Sequence, residues 1–214
     1  MAVARLHFDR NPRNSITLSL LAASRDHGSS ILTLLEIQPD AHGASALALL
    51  RTQLDTLLRA CFFAKEASEA EIEYFLAKDQ MPKRRKQTGP SDWKSCTLSL
   101  NDLTPFAKSY LGLSITGTKL EDAVKATWND LNGMVHGGAA IIHLYDADEE
   151  IRCALDEGQI DSALIKSISL LQLCAAAFIG IAKENEHEKS RACQQVFDAW
   201  MGFTQAGEVS HRSD

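Results

Sequence analysis

One segment of this sequence carries an unbroken helical pattern, and it restricts the possible fold more than any other feature. Its apolar residues recur at alternating spacings of three and four positions: Leu47, Leu50, Leu54, Leu57 and Cys61. That spacing places all five residues on one face of an α-helix and is typical of a helix packed against others. We therefore predict a helix over about residues 43–67 whose apolar seam faces a helical core.

The composition favours helices in the rest of the chain as well. The 214 residues include 28 Ala and 27 Leu but 5 Val and 5 Pro. Ala and Leu favour helices, whereas strands favour β-branched and aromatic residues. We predict an all-α fold, an antiparallel bundle of six to eight helices. A single domain is expected over residues 1–205, followed by a flexible C-terminal tail over residues 206–214.

Local signals divide the chain into these helices. A helix is predicted over residues 13–37, with Gly28 as an interruption and Pro39 as the stop. A short helix is expected near Glu69–Lys78, and longer ones near residues 160–183 and 189–203. Two prolines and a glycine surround the four consecutive cations 83–86, which predicts an exposed loop over residues 79–95. That basic run could contact nucleic-acid phosphates, but no aromatic residues interleave with it, so a solvated loop is the favoured interpretation.

Several classes of function are disfavoured by the bulk properties. A net charge of −6 argues against a protein whose whole surface coats nucleic acid. The five cysteines are widely spaced and form no Cys-x-x-Cys pair, so neither a disulfide framework nor a zinc site is expected. Glu184 and His187 match one Glu-x-x-His motif of a bundle di-iron site, which needs two such motifs and two further glutamates. The apolar runs 16–23 and 168–182 are short and interrupted by polar residues. We expect a cytoplasmic protein with no metal, no cofactor and no membrane span.

Three polar residues form the first candidate site. Asn129, Asn132 and His136 lie at spacings of three and four, so they share one helical face beside an apolar stripe. A histidine at such a core edge could act as general acid or base near neutral pH. The alternative, which the residue pattern alone favours, is that the Asn and His side chains satisfy each other and cap the helix end.

A second candidate site lies on the predicted helix with the apolar seam. Arg51, Asp55 and Arg59 follow each other at intervals of four residues, so Asp55 can bridge both guanidinium groups. Arg51 directly follows the seam residue Leu50, which places it near the apolar edge. An arginine held there by an aspartate suits phosphate or carboxylate recognition. The alternative is a surface ladder worth a few tenths of a kcal/mol per pair.

Two segments together resemble a known superfamily. One is Leu49-Leu50-Arg51-Thr52-Gln53-Leu54-Asp55, continuing to Phe63, and the other is Leu131-Asn132-Gly133-Met134-Val135-His136-Gly137-Gly138. A helix with Leu-Arg followed by an acidic residue, and a later helix ending in His-Gly, resemble bacterial uncharacterised domains related to the HEPN (higher eukaryotes and prokaryotes nucleotide-binding) superfamily. The resemblance covers about residues 43–142.

The resemblance implies a helical bundle and two candidate functions. HEPN domains occur in toxin–antitoxin and abortive-infection systems, and active members are metal-independent RNases that often dimerise. We expect a homodimer that binds a nucleotide-like or other anionic ligand, or a partner protein, in a polar cleft lined by Arg51, Asp55, Asn129, Asn132 and His136. The alternative is a metal-independent endoribonuclease in which His136 and Arg51 are catalytic. Active members have an arginine upstream of the histidine, where this chain has Asp130, Leu131 and Asn132, so a non-enzymatic role is favoured.

Overall fold

The fold is taken from a computed structural model that describes residues 6–87, 93–112, 124, 144–146 and 152–210. The α-helices in this part of the chain are α1 (Pro12–Ile37), α2 (Pro39–Cys61), α3 (Glu69–Lys78), α4 (Leu100–Tyr110), α5 (Glu157–Ile181) and α6 (Glu186–Ser210). A π-helical turn, Phe62–Glu66, continues α2. Antiparallel pairs join β1 (Lys83–Gln87) to β2 (Trp93–Thr97), and β3 (Tyr145–Asp146) to β4 (Arg152–Cys153). The mostly helical fold is confirmed, with short strand pairs beside the helices. An antiparallel bundle of six to eight helices stays a prediction.

The predicted apolar seam is confirmed in α2. Leu47, Leu50, Leu54, Leu57 and Cys61 are all buried, none with more than 8% of its surface exposed. Helix α2 packs mainly against α1 and also contacts α5 and α4. The helix starts four residues earlier than predicted, because Pro39 occupies its first turn instead of standing outside it. A proline fits there because the first N–H groups of a helix have no intrahelical acceptor.

Gly28 does not interrupt α1, contrary to the prediction. The helix runs unbroken from Pro12 to Ile37, and Gly28 is one of its buried residues. A Cβ atom at this position would lie 2.5 Å from Nε2 of Gln53 and 2.7 Å from Cδ2 of Leu171. Gly28 is therefore a packing residue, since only a residue without a side chain lets α2 and α5 come this close.

A buried polar link joins the three long helices around that glycine. Gln53 of α2 is fully buried, and its Nε2 donates to the carbonyl oxygen of Ser167 in α5 at 3.0 Å. The Ser167 hydroxyl donates back to Gln53 Oε1 at 3.0 Å, and the Ser24 hydroxyl of α1 donates to the Gln53 carbonyl oxygen at 2.9 Å. Because a buried polar group without a partner is costly, these bonds define how α2 sits between α1 and α5.

The basic run forms a strand, which corrects the predicted loop. Lys83–Gln87 pairs in register with Trp93–Thr97, from Lys83 opposite Thr97 to Gln87 opposite Trp93. The neighbouring helix α3 agrees with its prediction at both ends. It begins with a capping box between Ser68 and Glu71, which satisfies N–H groups of the first turn.

The two C-terminal helices are longer than their predicted ranges. Helix α5 is long enough and apolar enough to cross a membrane, and the core helix of a soluble protein can have the same length and composition. The predicted absence of a membrane span and the cytoplasmic localisation stay predictions. The last helix, α6, continues to Ser210. The predicted boundary between domain and tail at residue 205 also stays a prediction.

Candidate functional site on the second helix

The candidate site that the structure describes is a polar stripe on α2. We call Arg51, Asp55 and Arg59 the α2 stripe; all three side chains are half-buried. The three residues are four positions apart, so the helix places them on one face, beside the face that carries the buried seam. The seam and the Gln53 bonds hold the backbone beneath the stripe, so its side chains project from a fixed support.

An ion pair orders one end of the α2 stripe. Arg59 Nε donates to Asp55 Oδ1 at 2.8 Å, and Arg59 Nη2 lies 2.8 Å from Asp55 Oδ2. Both carboxylate oxygens therefore face two nitrogens of one guanidinium group, the bidentate geometry that fixes an arginine most firmly. The side chains retain 35% (Arg59) and 24% (Asp55) exposure. The predicted ladder is thus present between Asp55 and Arg59, with a guanidinium edge that solvent reaches.

The other predicted site residues fall in a different part of the chain. Asn129, Asn132 and His136 lie outside the described residues. The structure accordingly brings together Asp55 and Arg59, with Arg51 one helical turn before Asp55. A cleft shared by Arg51 and His136, and the catalytic roles of both residues, stay predictions.

A π-helical turn follows the α2 stripe, and no sequence signal indicated it. It spans Phe62–Glu66, and two arginines from distant segments bind its carbonyl oxygens. Arg13 Nη1 donates to the Phe63 oxygen at 3.0 Å, and Arg84 Nη2 donates to the Glu66 oxygen at 3.0 Å. Such turns often occur at functional sites, and side-chain donors compensate for the altered backbone bonding. Here they tie the end of α2 to α1 and to β1.

Arg84 is the main attachment of the hairpin formed by β1 and β2. Its Nε and Nη2 donate to the two oxygens of Glu71 at 2.7 and 2.9 Å. Its guanidinium carbon lies 5.0 Å from the ring centre of Phe62 and 5.3 Å from that of Phe106, within range for cation–π attraction. The arginine that sequence analysis assigned to a solvated loop is thus held between two rings and a carboxylate.

The carboxylates that receive these cations have lowered pKa values. Hydrogen bonds from Arg84, assisted by the Ser68 backbone N–H, lower the pKa of Glu71 to about 2. Burial opposes ionisation of Asp102, but hydrogen bonds from Lys86 and Ser99 outweigh it and lower the pKa of that carboxyl group. Both groups are therefore charged at neutral pH and hold the hairpin by ion pairs.

Two buried cysteines and the possible metal-binding groups complete the candidates in the part of the chain that the structure describes. Burial raises the pKa values of the Cys61 and Cys174 thiols to about 12, so both are protonated and unreactive at neutral pH. Among residues 6–87, 93–112, 144–146 and 152–210, no three His, Cys, Asp or Glu side chains are grouped so as to hold a metal ion.

A protein family model matches most of the chain. The model of a family of unknown function, DUF6988, matches residues 21–201. Neither a curated protein nor a solved structure matches the chain. The match covers every described helix at least in part, and the family description names no activity. The HEPN resemblance and the bacterial origin stay predictions from the sequence.

Proposed function

Because the chain belongs to the DUF6988 family, whose function is unknown, its role has to be inferred from its own residues. We propose that it is a HEPN-like helical domain that binds a nucleotide-like or other anionic ligand, or a partner protein, in a polar cleft lined by Arg51 and His136. The observation that carries this proposal is the bidentate pair of Asp55 and Arg59 beside Arg51 on the α2 stripe.

The chemistry of the stripe suits an anion. A guanidinium group has five N–H donors, and the described contacts of Arg59 with Asp55 use two of its three nitrogens. An arginine oriented by a carboxylate presents its remaining donors in a fixed plane, which matches the oxygens of phosphate or carboxylate. Because the chain has a net charge of −6, most of its surface repels an anion. An anionic ligand is therefore favoured at places where arginines cluster.

Ligand-induced thermal shifts test this proposal. The probes are ATP, AMP and inorganic phosphate, added to the wild type and to Arg51→Gln and His136→Ala variants. At ten times its Kd, a probe stabilises the protein by about 1.4 kcal/mol. For a chain of 214 residues this raises the Tm by about 3–5 °C. We expect that shift in the wild type and its loss in both variants.

A matched control is an arginine in an ordinary surface pair. Arg25 of α1 pairs with Asp26 at 2.8 Å, and more than half of each side chain is exposed. Arg25→Gln should retain the full ligand-induced shift. A shift that survives in both Arg51→Gln and His136→Ala, or no wild-type shift with any probe at 10 mM, would refute the proposed cleft.

A metal-independent endoribonuclease of a toxin–antitoxin or phage-defence system is the second candidate function. The second guanidinium group on the α2 stripe favours it, since an RNase needs positive charge near its general acid or base. In this candidate, His136 acts on a ribose 2′-hydroxyl and Arg51 stabilises the phosphate charge. The test is incubation of a mixed RNA pool with wild-type and His136→Ala protein in EDTA. Cleavage that the variant lacks would support the RNase, and intact RNA would exclude it.

A homodimer is part of both candidates. Light scattering on the same protein samples measures it, and a monomer at micromolar concentration would contradict it.

A further inference from the structure

The last two helices leave apolar surface exposed. In α5, 33% of the most apolar 18-residue stretch is buried, whereas a helix that is apolar all round is normally enclosed by others. Between residues 186 and 199 of α6, Ala192 alone is buried. Since most of the stability of a helix in a protein comes from packing of its apolar face, so little burial indicates a further partner for α6.

An apolar groove, which we call the α5–α6 groove, runs between the two helices. Each helix contributes three apolar side chains to its lining: Leu173, Ala176, Ile179, Cys193, Val196 and Phe197. The remaining lining residue, Gln172, is uncharged. Phe197 has 52% of its surface exposed, and Ile165, two turns before Gln172 on α5, has 59%. Apolar surface with no charged residue at its centre is typical of a protein–protein interface.

Opposite charges flank the groove along α6. Arg191 stands before Cys193 and Asp198 stands after Phe197, and both charged residues are exposed. They are seven residues apart, so they lie on the same side of the helix, two turns or about 10 Å from each other. That distance separates them by more than the i, i+4 spacing at which helix residues pair. The Gln194 amide donates to Asp198 Oδ1 at 2.8 Å, which orients the carboxylate.

This arrangement of charges is complementary to itself. The midpoint between Arg191 and Asp198 falls between residues 194 and 195. When a two-fold axis through that midpoint relates two antiparallel copies of α6, Arg191 of each copy lies beside Asp198 of the other. The same axis places Cys193 opposite Val196, so the two apolar walls meet between the charges. A contact of this kind uses one surface twice and closes as a dimer.

We propose that the α5–α6 groove is the contact surface of a homodimer in which α6 packs antiparallel to α6 of a second copy. The occupant is a second copy because the charges that flank the groove match each other across a two-fold axis. Complementary charges at an interface select the partner and fix its register. The inference rests on the homodimer of the proposed function and adds the surface that forms it, on helices other than the one with the α2 stripe.

The test is sedimentation of charge-reversed variants. Arg191→Asp and Asp198→Arg each place like charges opposite one another at two positions of the dimer. We expect a wild-type Kd on the order of 1 μM. Each single variant should dimerise at least about tenfold more weakly. The double variant Arg191→Asp/Asp198→Arg exchanges the two charges, so it should regain a Kd within about threefold of the wild type.

A mixture of the two single variants shows whether the charges meet between copies. The Arg191→Asp copy has two negative charges at these positions, and the Asp198→Arg copy has two positive ones. An equimolar mixture should therefore form heterodimers about as tightly as the wild type dimerises. Proteins associate at about 10⁵–10⁷ M⁻¹s⁻¹, so copies of a micromolar dimer exchange within seconds. The mixture equilibrates on that timescale, and Cys193 stays accessible to a thiol reagent.

The control is Lys78→Asp, which changes the net charge as Arg191→Asp does but lies on the exposed surface of α3. It should dimerise like the wild type. Wild-type protein that is monomeric at micromolar concentration would overturn both this surface and the homodimer. A dimer that both single variants retain, or a loss that neither the double variant nor the mixture restores, would overturn the surface and leave the homodimer standing. Arg191→Gln and Asp198→Asn replace any single variant whose circular dichroism is not native.

Discussion

The ion pair that attaches the hairpin makes a prediction about stability and pH. Glu71 has an ordinary pKa of 4.5 that hydrogen bonds from Arg84 lower to about 2 in the folded protein. The difference between these pKa values corresponds to about 3 kcal/mol. Since 17% of the Glu71 side chain and 32% of the Arg84 side chain remain exposed, solvent screens the pair. We therefore expect Glu71→Gln to lower the free energy of unfolding by about 1–2 kcal/mol at pH 7.

The sign of the pH dependence follows from the direction of the shift. The folded state holds the Glu71 proton more weakly than the unfolded state does, so the ion pair stabilises fully above the unfolded pKa. As the pH falls from 4.5 towards 2, the carboxylate becomes protonated in both states and the stabilisation is lost. The wild type and Glu71→Gln should therefore differ in stability at pH 7 and converge near pH 2.

Urea unfolding followed by circular dichroism at several pH values between 7 and 2.5 measures this difference. The control is Glu73→Gln, because Glu73 is an exposed carboxylate two residues further along α3. It should change the free energy of unfolding by less than about 0.5 kcal/mol at every pH. A difference between wild type and Glu71→Gln that stays constant from pH 7 to pH 3 would refute the assignment of the pair.

Two further predictions concern the core. Gln53→Leu removes both side-chain bonds to Ser167 and should cost about 2–4 kcal/mol in urea unfolding. Ser167→Ala should then cost about 1 kcal/mol less in the Gln53→Leu background than in the wild type, and equal costs would contradict the bond. A thiol reagent at pH 7.5 should modify exposed Cys193 within minutes but buried Cys61 and Cys174 only after unfolding. Labelling of Cys61 in the native protein would contradict the burial of its thiol.

The predictions that succeeded depend on near neighbours in the chain. The α2 seam follows from a period that repeats within four residues, and burial confirmed each of its members. The range of α3 follows from Ser68 and Glu71, which form a capping box three positions apart. On the α2 stripe, the spacing of Asp55 and Arg59 allowed the bidentate pair that the structure contains.

The predictions that failed depend on distant partners. Four cations beside prolines and a glycine favour a loop, but Arg84 and Lys86 find carboxylates 13 and 16 positions away, and those pairs stabilise a strand. Gly28 has the local character of a helix break. Its actual neighbours, Gln53 and Leu171, belong to two other helices.

The sequence by itself determined that this chain is mostly helical, where its main apolar seam lies and which charges share a helix face. These features follow from periodicity and capping, which act over one or two turns. The tertiary structure decided that Arg84 and Lys86 bind carboxylates of two helices, and that a glycine stands inside a long helix because two other helices pack against it. Those outcomes depend on energies between residues far apart in the chain, and such pairings leave no local pattern from which they could be predicted.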